Sequence, residues 1–220
     1  GLPLQRVRGS VLQQTALPKF GEPYGAADLN QFDVLTLPDG GAGLGELFKP
    51  EQQAQLRDWI SRGGTLIATE SAVSFFTAQR SKFTNVKLIE PARDSSLDAR
   101  TVAYQDREDY YGKKRTPGTA LNTLIDNSHP LAFGLGKELY TIKQDNNSLA
   151  PSPELQSVGR YASADKAYVA GYISTENKNR LAGNTFAGVL PMGQGKVVFL
   201  QDNTQFRMFW RGPSRMMQNA

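Results

Sequence analysis

Polar side chains that could bind or react with a ligand follow three apolar runs of the chain. The runs span 33–38, 65–69 and 196–200, and each is typical of a buried parallel strand. Because ligands of an open parallel α/β sheet bind beyond the carboxyl ends of its strands, we expect these side chains to converge. The predicted ligand-binding residues are Asp39, Gly40, Glu70, Ser71, Asp202, Asn203 and Arg207. The alternative is that they are helix caps and turn residues, whose oxygens accept hydrogen bonds from free backbone N–H groups.

The stretch from Gly64 to Val73 has the layout of a nucleophile elbow, which is a strand, a tight turn and a helix. Ser71 in this stretch could act as a nucleophile if a base lay beside it. His129 is the only histidine of the chain, and a carboxylate would have to orient it for this role. The Gly-x-Ser-x-Gly pattern is absent around Ser71, which argues against a strained turn there. A turn role for His129, which precedes Pro130, is the alternative.

A second catalytic option is a pair of carboxylates drawn from Asp39, Glu70 and Asp202. Two carboxyl groups can divide the acid and base roles if their surroundings separate their pKa values. Metal chemistry is disfavoured, because the chain has no cysteine and one histidine and lacks the His-Glu-x-x-His pattern. We therefore expect no metal site and no cofactor in this chain.

Composition indicates a globular domain and excludes several function classes. The 220 residues are 39% hydrophobic and 10% aromatic, which is enough for a sizeable core. The net charge of +4 is spread over segments of mixed sign, so no nucleic-acid partner is expected. No apolar run approaches the roughly 20 residues that a membrane span needs. The start at Gly1-Leu2-Pro3 is atypical of a natural N-terminus and suggests a fragment of a longer protein.

The order of predicted elements favours an α/β fold. Apolar runs at 33–37, 65–69 and 86–89 alternate with helical patterns at 50–61 and 71–79, which predicts parallel strands covered by helices. Short strands separated by turns follow in the C-terminal half and suggest antiparallel or mixed pairing. The polar stretch 93–117, which carries several tyrosines, is predicted to be an insertion or an exposed helix.

Four segments together resemble a known family. They are residues 33–40, the helix and strand 56–68, the segment His129-Pro130-Leu131-Ala132-Phe133-Gly134, and the C-terminal stretch from Gly195 to Ala220. In these features the chain is similar to the class I glutamine amidotransferase-like domain found at the C-terminus of some bacterial zinc carboxypeptidases of the carboxypeptidase A type. The similarity extends from about Phe32 to the end.

The resemblance implies a flavodoxin-like three-layer sandwich with a mostly parallel central sheet, formed by residues 1–220 as one domain. It also implies an exported, periplasmic or secreted parent protein, whose zinc lies in a separate peptidase domain that is the expected partner. The family's catalytic cysteine corresponds to Ser71, or to Glu70 with a shift of one residue, so the leading hypothesis is a non-catalytic accessory domain. The alternatives are an active hydrolase that uses Ser71 with His129 or uses Glu70, and a module that binds cell-wall material or carbohydrate. An open sheet edge could also allow self-association.

Overall fold

The computed structural model describes residues 29–41, 43–79, 81–91 and 101–220. The start of the chain and the first part of the predicted stretch 93–117 lie outside these residues. The helices are α1 (Gly43–Leu47), α2 (Pro50–Ser61), α3 (Ser71–Thr77), α4 (Arg107–Gly112), α5 (Thr175–Leu181) and α6 (Arg211–Asn219). Short 3-10 helices span Leu29–Gln31, Tyr104–Asp106, Pro130–Ala132 and Phe206–Met208. No helix of the described ranges is long and apolar enough to cross a membrane.

The strands form one mixed sheet. They are β1 (Val34–Leu37), β2 (Thr65–Thr69), β3 (Leu88–Ile89), β4 (Thr119–Ile125), β5 (Glu138–Lys143), β6 (Ser148–Leu149), β7 (Gln156–Tyr161), β8 (Tyr168–Ala170), β9 (Thr185–Met192) and β10 (Gly195–Leu200). Along the main path the strand order is β1-β2-β10-β9-β7-β4-β5, with β3, β6 and β8 attached to the side. The α/β class predicted from the sequence is therefore confirmed.

The pairing of the sheet corrects the expectation of a mostly parallel arrangement. Only β1–β2 and β2–β10 are parallel among the described strands, and every other pair is antiparallel. The predicted third parallel strand is reduced to β3, which pairs antiparallel with β6. The physical reason is that β9 and β10 are joined by a tight turn at Gly193, so that the chain returns beside itself rather than crossing over.

Alternate residues of β2 and β10 enter two separate cores. Leu66 and Phe199 belong to a core that contains the buried sides of α2 and α3. Ile67 and Val198 belong to the other core, which contains Met216 of α6. Since successive side chains of a strand point to opposite faces, helices cover both faces of these central strands. This double burial explains why β2 and β10 are continuous apolar runs in the sequence.

The connection between α2 and β2 is held by close packing. A Cβ at Gly64 would lie 2.5 Å from the ring of Trp59, so only glycine fits between the helix and the strand. The Trp59 indole Nε1–H donates a hydrogen bond to the carbonyl oxygen of Phe32, 3.2 Å away. These contacts fix the start of β2. Because β2 is only five residues long, they also determine where the strand ends and the turn at Glu70 begins.

Candidate functional site

A cavity of about 440 Å³ lies beyond the carboxyl ends of the parallel strands β1, β2 and β10. We call it the elbow cavity. It is lined by Asp39, Glu70, Ser71, Ser74, Gln144, Asp145, Asn147, Gln201, Asp202 and Asn203. The structure thus brings together five of the seven residues that the sequence suggested as ligand-binding. Their role in binding remains a prediction.

The backbone of Glu70 is strained at the turn between β2 and α3. Its φ is 51° and its ψ is −117°, angles that glycine adopts readily in type II′ turns and other residues rarely adopt. The Glu70 N–H donates to the Leu200 carbonyl over 3.1 Å, and the Glu70 carbonyl accepts from the Ser74 N–H over 3.2 Å. Strand β10 and helix α3 therefore hold Glu70 from both sides. The expectation of an unstrained turn is wrong, because these two bonds impose the geometry without a glycine.

Ser71 occupies the first position of α3 and is engaged by the loop that follows β1. Its hydroxyl donates a short hydrogen bond to the Asp39 carboxylate. Its oxygen accepts from the backbone N–H groups of Gly40 and Gly41, each 3.1 Å away. These contacts tie the loop 39–41 to the start of the helix. The residue with the strained backbone is Glu70, whereas Ser71 belongs to the helix. Of the two positions suggested for the elbow nucleophile, the backbone geometry therefore favours Glu70.

His129 is bonded elsewhere and does not meet Ser71. Its Nδ1 accepts a hydrogen bond from the Leu131 backbone N–H at 3.0 Å, and this caps a 3-10 helix. Its Nε2 lies 3.1 Å from Oε1 of Gln156. Since both ring nitrogens have partners, and the described hydrogen bonds of Ser71 include none to His129, the structure does not assemble a Ser-His pair.

Arg207 also lies apart from the elbow cavity. It adopts a left-handed backbone with φ 48° and ψ 19° in the 3-10 helix after β10, next to Met208, whose φ is 59°. Its guanidinium carbon lies 5.4 Å from the centre of the Phe206 ring. The side chains that line the cavity in the described part of the chain do not include Arg207.

A buried polar network forms the floor of the elbow cavity, and sequence reasoning missed it. The Lys143 ammonium lies 2.8 Å from Oδ1 of Asp202 and 2.5 Å from Oδ1 of Asp145. Asp202 also accepts hydrogen bonds from the Tyr161 hydroxyl at 2.7 Å and the Thr141 hydroxyl at 3.0 Å. These partners come from the ends of β5 and β7, which meet the end of β10 only in the folded sheet. A lysine in the alternating segment 138–143 was the one available signal.

The electrostatic state of the network follows from its burial. Burial lowers the pKa of Lys143, but the negative charges of Asp202 and Asp145 outweigh this effect, so the pKa is raised overall. Burial raises the pKa of Asp202, and the positive charge of Lys143 opposes the shift. Burial also raises the pKa of the Tyr161 hydroxyl well above its ordinary value, so this group stays a hydrogen-bond donor. Lys143 and Asp202 are therefore a charged pair.

Glu70 differs from Asp202 because no cation among the described residues contributes to its pKa. Burial is the main cause that raises the pKa of Glu70, and the negative charge of Asp39 raises it further. A hydrogen bond from the side chain of Asn203 lowers it in part, whereas Asp145 and Asp202 add smaller upward contributions. Glu70 is therefore the carboxyl group of the cavity best placed to carry a proton. No group of three His, Cys, Asp or Glu residues in the described ranges is arranged to hold a metal ion.

Comparison with known proteins gives structural similarity at low sequence identity. Neither a protein-family model nor a curated protein sequence matches the chain. The cytoplasmic protein STM3548 from Salmonella typhimurium has a TM-score of 0.52 at 15% identity, covering 96% of this chain and 76% of that protein. A protein from Parabacteroides merdae that is termed ThuA-like has a TM-score of 0.52 at 11% identity, covering 96% of this chain and 81% of that protein. These similarities concern the fold alone.

The similarity to ThuA-like structures overturns the family suggested by the sequence. The resemblance to the amidotransferase-like domain of zinc carboxypeptidases is wrong, because the similar structures include a protein termed ThuA-like and no family model matches. The motif at 33–40 is the edge strand β1 and its loop, whose residues are exposed or half-buried rather than buried as the sequence predicted. The motif at 56–68 is a helix that joins the buried strand β2 through two glycines. Packing of a helix on a buried strand demands such residues in many α/β proteins, so the motifs carried information about fold rather than family.

Proposed function

We propose that the elbow cavity is an acid–base site for a small polar molecule, in which Glu70 transfers the proton. The observation that carries the proposal is the backbone of Glu70, which is strained at the end of a central parallel strand and places the residue on the cavity wall. Strained residues of this kind cost about 1–3 kcal/mol and concentrate at functional sites. A cap or turn role would need no such strain.

The surroundings of Glu70 suit a residue that both gives and takes a proton. Its pKa is raised by burial and by Asp39, and the ideal catalytic pKa lies near the operating pH. Asp202 accepts hydrogen bonds from the Lys143 ammonium and the Tyr161 hydroxyl, whereas no cation among the described residues contributes to the pKa of Glu70, so that the two carboxyl groups are in different protonation environments. Separation of this kind is the arrangement by which two carboxyl groups divide acid and base roles.

Other side chains of the cavity have positioning roles in this proposal. Asp39 and Ser71 bond to each other and to the loop 39–41, which sets one wall. Asn147 donates to the Ser74 hydroxyl over 3.2 Å and sets another wall. The finer fold assignment, a flavodoxin-like three-layer sandwich, is part of the proposal, because such folds bind ligands beyond the carboxyl ends of parallel strands.

The proposal is tested with Glu70→Gln, which keeps the size of the side chain and removes the proton. Purified protein is screened against small polyols, sugars, amines and amides by thermal shift. Hits are followed by proton NMR in heavy water, which detects bond cleavage and exchange at carbon. We expect Glu70→Gln to lower the rate at least about a hundredfold, the scale of general acid–base catalysis. The matched control is Glu138→Gln, an exposed residue at the start of β5, and it keeps the full rate. Equal rates for both variants contradict the proposal.

A second candidate is a domain that binds a ligand in the elbow cavity without reaction. It is favoured by the bonded state of the Ser71 hydroxyl, by the position of His129 and by the absence of cysteine from the chain. These features leave Glu70 as the single candidate for catalysis. The two functions differ in the NMR experiment, because a binding domain shifts the thermal transition and leaves the ligand unchanged.

A further inference from the structure

The wall of the elbow cavity has an excess of negative charge. Among the residues that the structure describes, four carboxyl groups line it, on Asp39, Glu70, Asp145 and Asp202, and no lysine or arginine does. Lys143 lies beneath the floor, is 1% exposed and is occupied by Asp145 and Asp202. One positive charge therefore offsets only part of the negative charge. The remaining field favours a ligand that carries a positive charge.

An independent observation concerns Gln201, which also lines the cavity. Its side chain is 1% exposed, and its Nε2 donates to Oδ2 of Asp145 over 3.1 Å. Its Oε1 has no hydrogen-bond partner within the described ranges of the chain. A buried acceptor without a donor costs about 1–3 kcal/mol, and a ligand N–H group on this wall could satisfy it. The amide oxygen therefore adds an unpaired acceptor beside Asp145.

We propose that the ligand of the elbow cavity is a small hydroxylated molecule with a primary ammonium group. The ammonium has three donors and one positive charge, which match the carboxylates of Asp39 and Asp145 and the Oε1 of Gln201. The hydroxyl groups match the amide side chains of Gln144, Asn147 and Asn203. An anionic ligand such as a phosphate ester is disfavoured by the same charges. This inference names the ligand of the proposed acid–base site and rests on that proposal.

Binding of an ammonium group is coupled to the proton of Glu70. Asp39, Asp145 and Asp202 face Glu70 with negative charge, and Lys143 lies beneath them, paired with Asp145 and Asp202. A bound cation reverses part of this field and favours the ionised form of Glu70. The protein therefore releases protons when an amine binds within the pH range in which free Glu70 is protonated. A neutral ligand has no such effect.

The experiment uses matched ligand pairs that differ in one group: glucosamine and glucose, ethanolamine and ethylene glycol, and 4-amino-1-butanol and 1,4-butanediol. Affinities are measured by calorimetry on the whole chain at low and at high salt, in buffers of different ionisation enthalpy. We expect at least one amine to bind about tenfold tighter or more than its alcohol, since a tenfold change corresponds to only 1.4 kcal/mol. We expect this preference to fall with salt and in Asp145→Asn, and the amine to release protons in wild type but not in Glu70→Gln.

The outcomes separate this inference from the proposed function. Equal or tighter binding of the alcohols overturns the ammonium proposal, and so does the failure of every amine to bind. A reaction of neutral ligands that depends on Glu70 would then leave the acid–base proposal standing. Preferred binding of an amine with no reaction supports the ammonium proposal and contradicts the acid–base one. The comparison of ligands on wild-type protein does not depend on the folding of any variant.

Discussion

The two ends of the sheet shift the pKa values of their carboxyl groups in opposite directions. We call the end that holds the elbow cavity the elbow end. At the elbow end, burial and Asp39 raise the pKa of Glu70, and the backbone of this residue is strained. At the other end, hydrogen bonds from the Ser128 side chain and backbone lower the pKa of Asp126. His129 beside it has ordinary extended backbone angles, φ −80° and ψ 139°. At the end with Asp126 and His129, neighbouring residues supply the hydrogen bonds of the polar side chains. The elbow end instead has a strained residue, Glu70, among carboxyl groups that repel one another. This difference locates the candidate function at the elbow end.

The largest effect is expected when the floor of the elbow end loses its cation. Lys143→Met leaves the buried Asp202 without a counter-charge, and breaking a buried ion pair in this way costs about 3–5 kcal/mol. Urea unfolding monitored by circular dichroism measures the loss. The double variant Lys143→Met/Asp202→Asn removes both charges and should recover much of it. If the single variant is as stable as wild type, the pair has no structural role.

The strain at Glu70 can be separated from its carboxyl group by two substitutions. Glu70→Gly relieves the positive φ and should raise the free energy of unfolding by about 1 kcal/mol, the cost of such a conformation in other residues. Glu70→Ala removes the carboxyl group and keeps the strain, so it should be less stable than Glu70→Gly. Urea midpoints of the two variants provide the comparison. Equal midpoints would show that the turn is not strained.

Removal of His129 should weaken a turn without affecting the elbow cavity. His129→Ala deletes the Nδ1 acceptor of the Leu131 N–H, and losing a helix cap costs about 1 kcal/mol. Thermal unfolding measures this change. His129→Asn, which retains a short acceptor, should recover part of the stability. A loss of ligand binding or reaction in His129→Ala would contradict the division between the two ends.

The two ends should also contribute to stability with opposite dependence on pH. The pKa of Glu70 is raised from 4.5 on folding, so its stabilising contribution is complete below that pH and is lost as the pH rises through the folded value. The pKa of Asp126 is lowered from 3.8, so its contribution is present above that pH and is lost as the pH falls. Glu70→Gln should remove the first dependence and Asp126→Asn the second, as measured by unfolding from pH 2 to 8. A variant with the wild-type profile would contradict the corresponding shift.

The sequence predicted the central strands and the place where polar groups meet, because both follow from local patterns. The runs before Glu70 and Asp202 are apolar and bounded by turn residues, so the burial and the ends of β2 and β10 could be recognised. The run before Asp39 was also predicted to be buried, but it forms β1 at the edge of the described sheet, where its residues are exposed or half-buried. The pairing of the remaining strands could not be recognised in the same way. Strand β3 is only two residues long, and its direction is set by contact with β6 about 60 residues later. Tertiary contacts decide such short strands.

The chemistry of the site was less accessible from the sequence than its location. The strain at Glu70 arises from hydrogen bonds to Leu200 and Ser74, and the sequence has no glycine at the turn to signal it. Lys143 is typical of an exposed strand end, and its partner Asp202 lies 59 positions away. Ser71 and His129 were candidates by residue type, but they bond to different partners. Ser71 donates to Asp39, and His129 pairs with Gln156.

The most direct test of the account is the pKa of the Glu70 carboxyl group in the folded protein. It can be measured by NMR from the pH dependence of carboxyl carbon shifts in protein labelled at glutamate, with Glu70→Gln used to assign the signal. We predict that Glu70 titrates above 4.5, the ordinary value for a glutamate side chain, and that a bound amine moves its midpoint down. A midpoint for Glu70 at or below 4.5 would contradict the claim that the elbow end of the sheet holds an uncompensated acid.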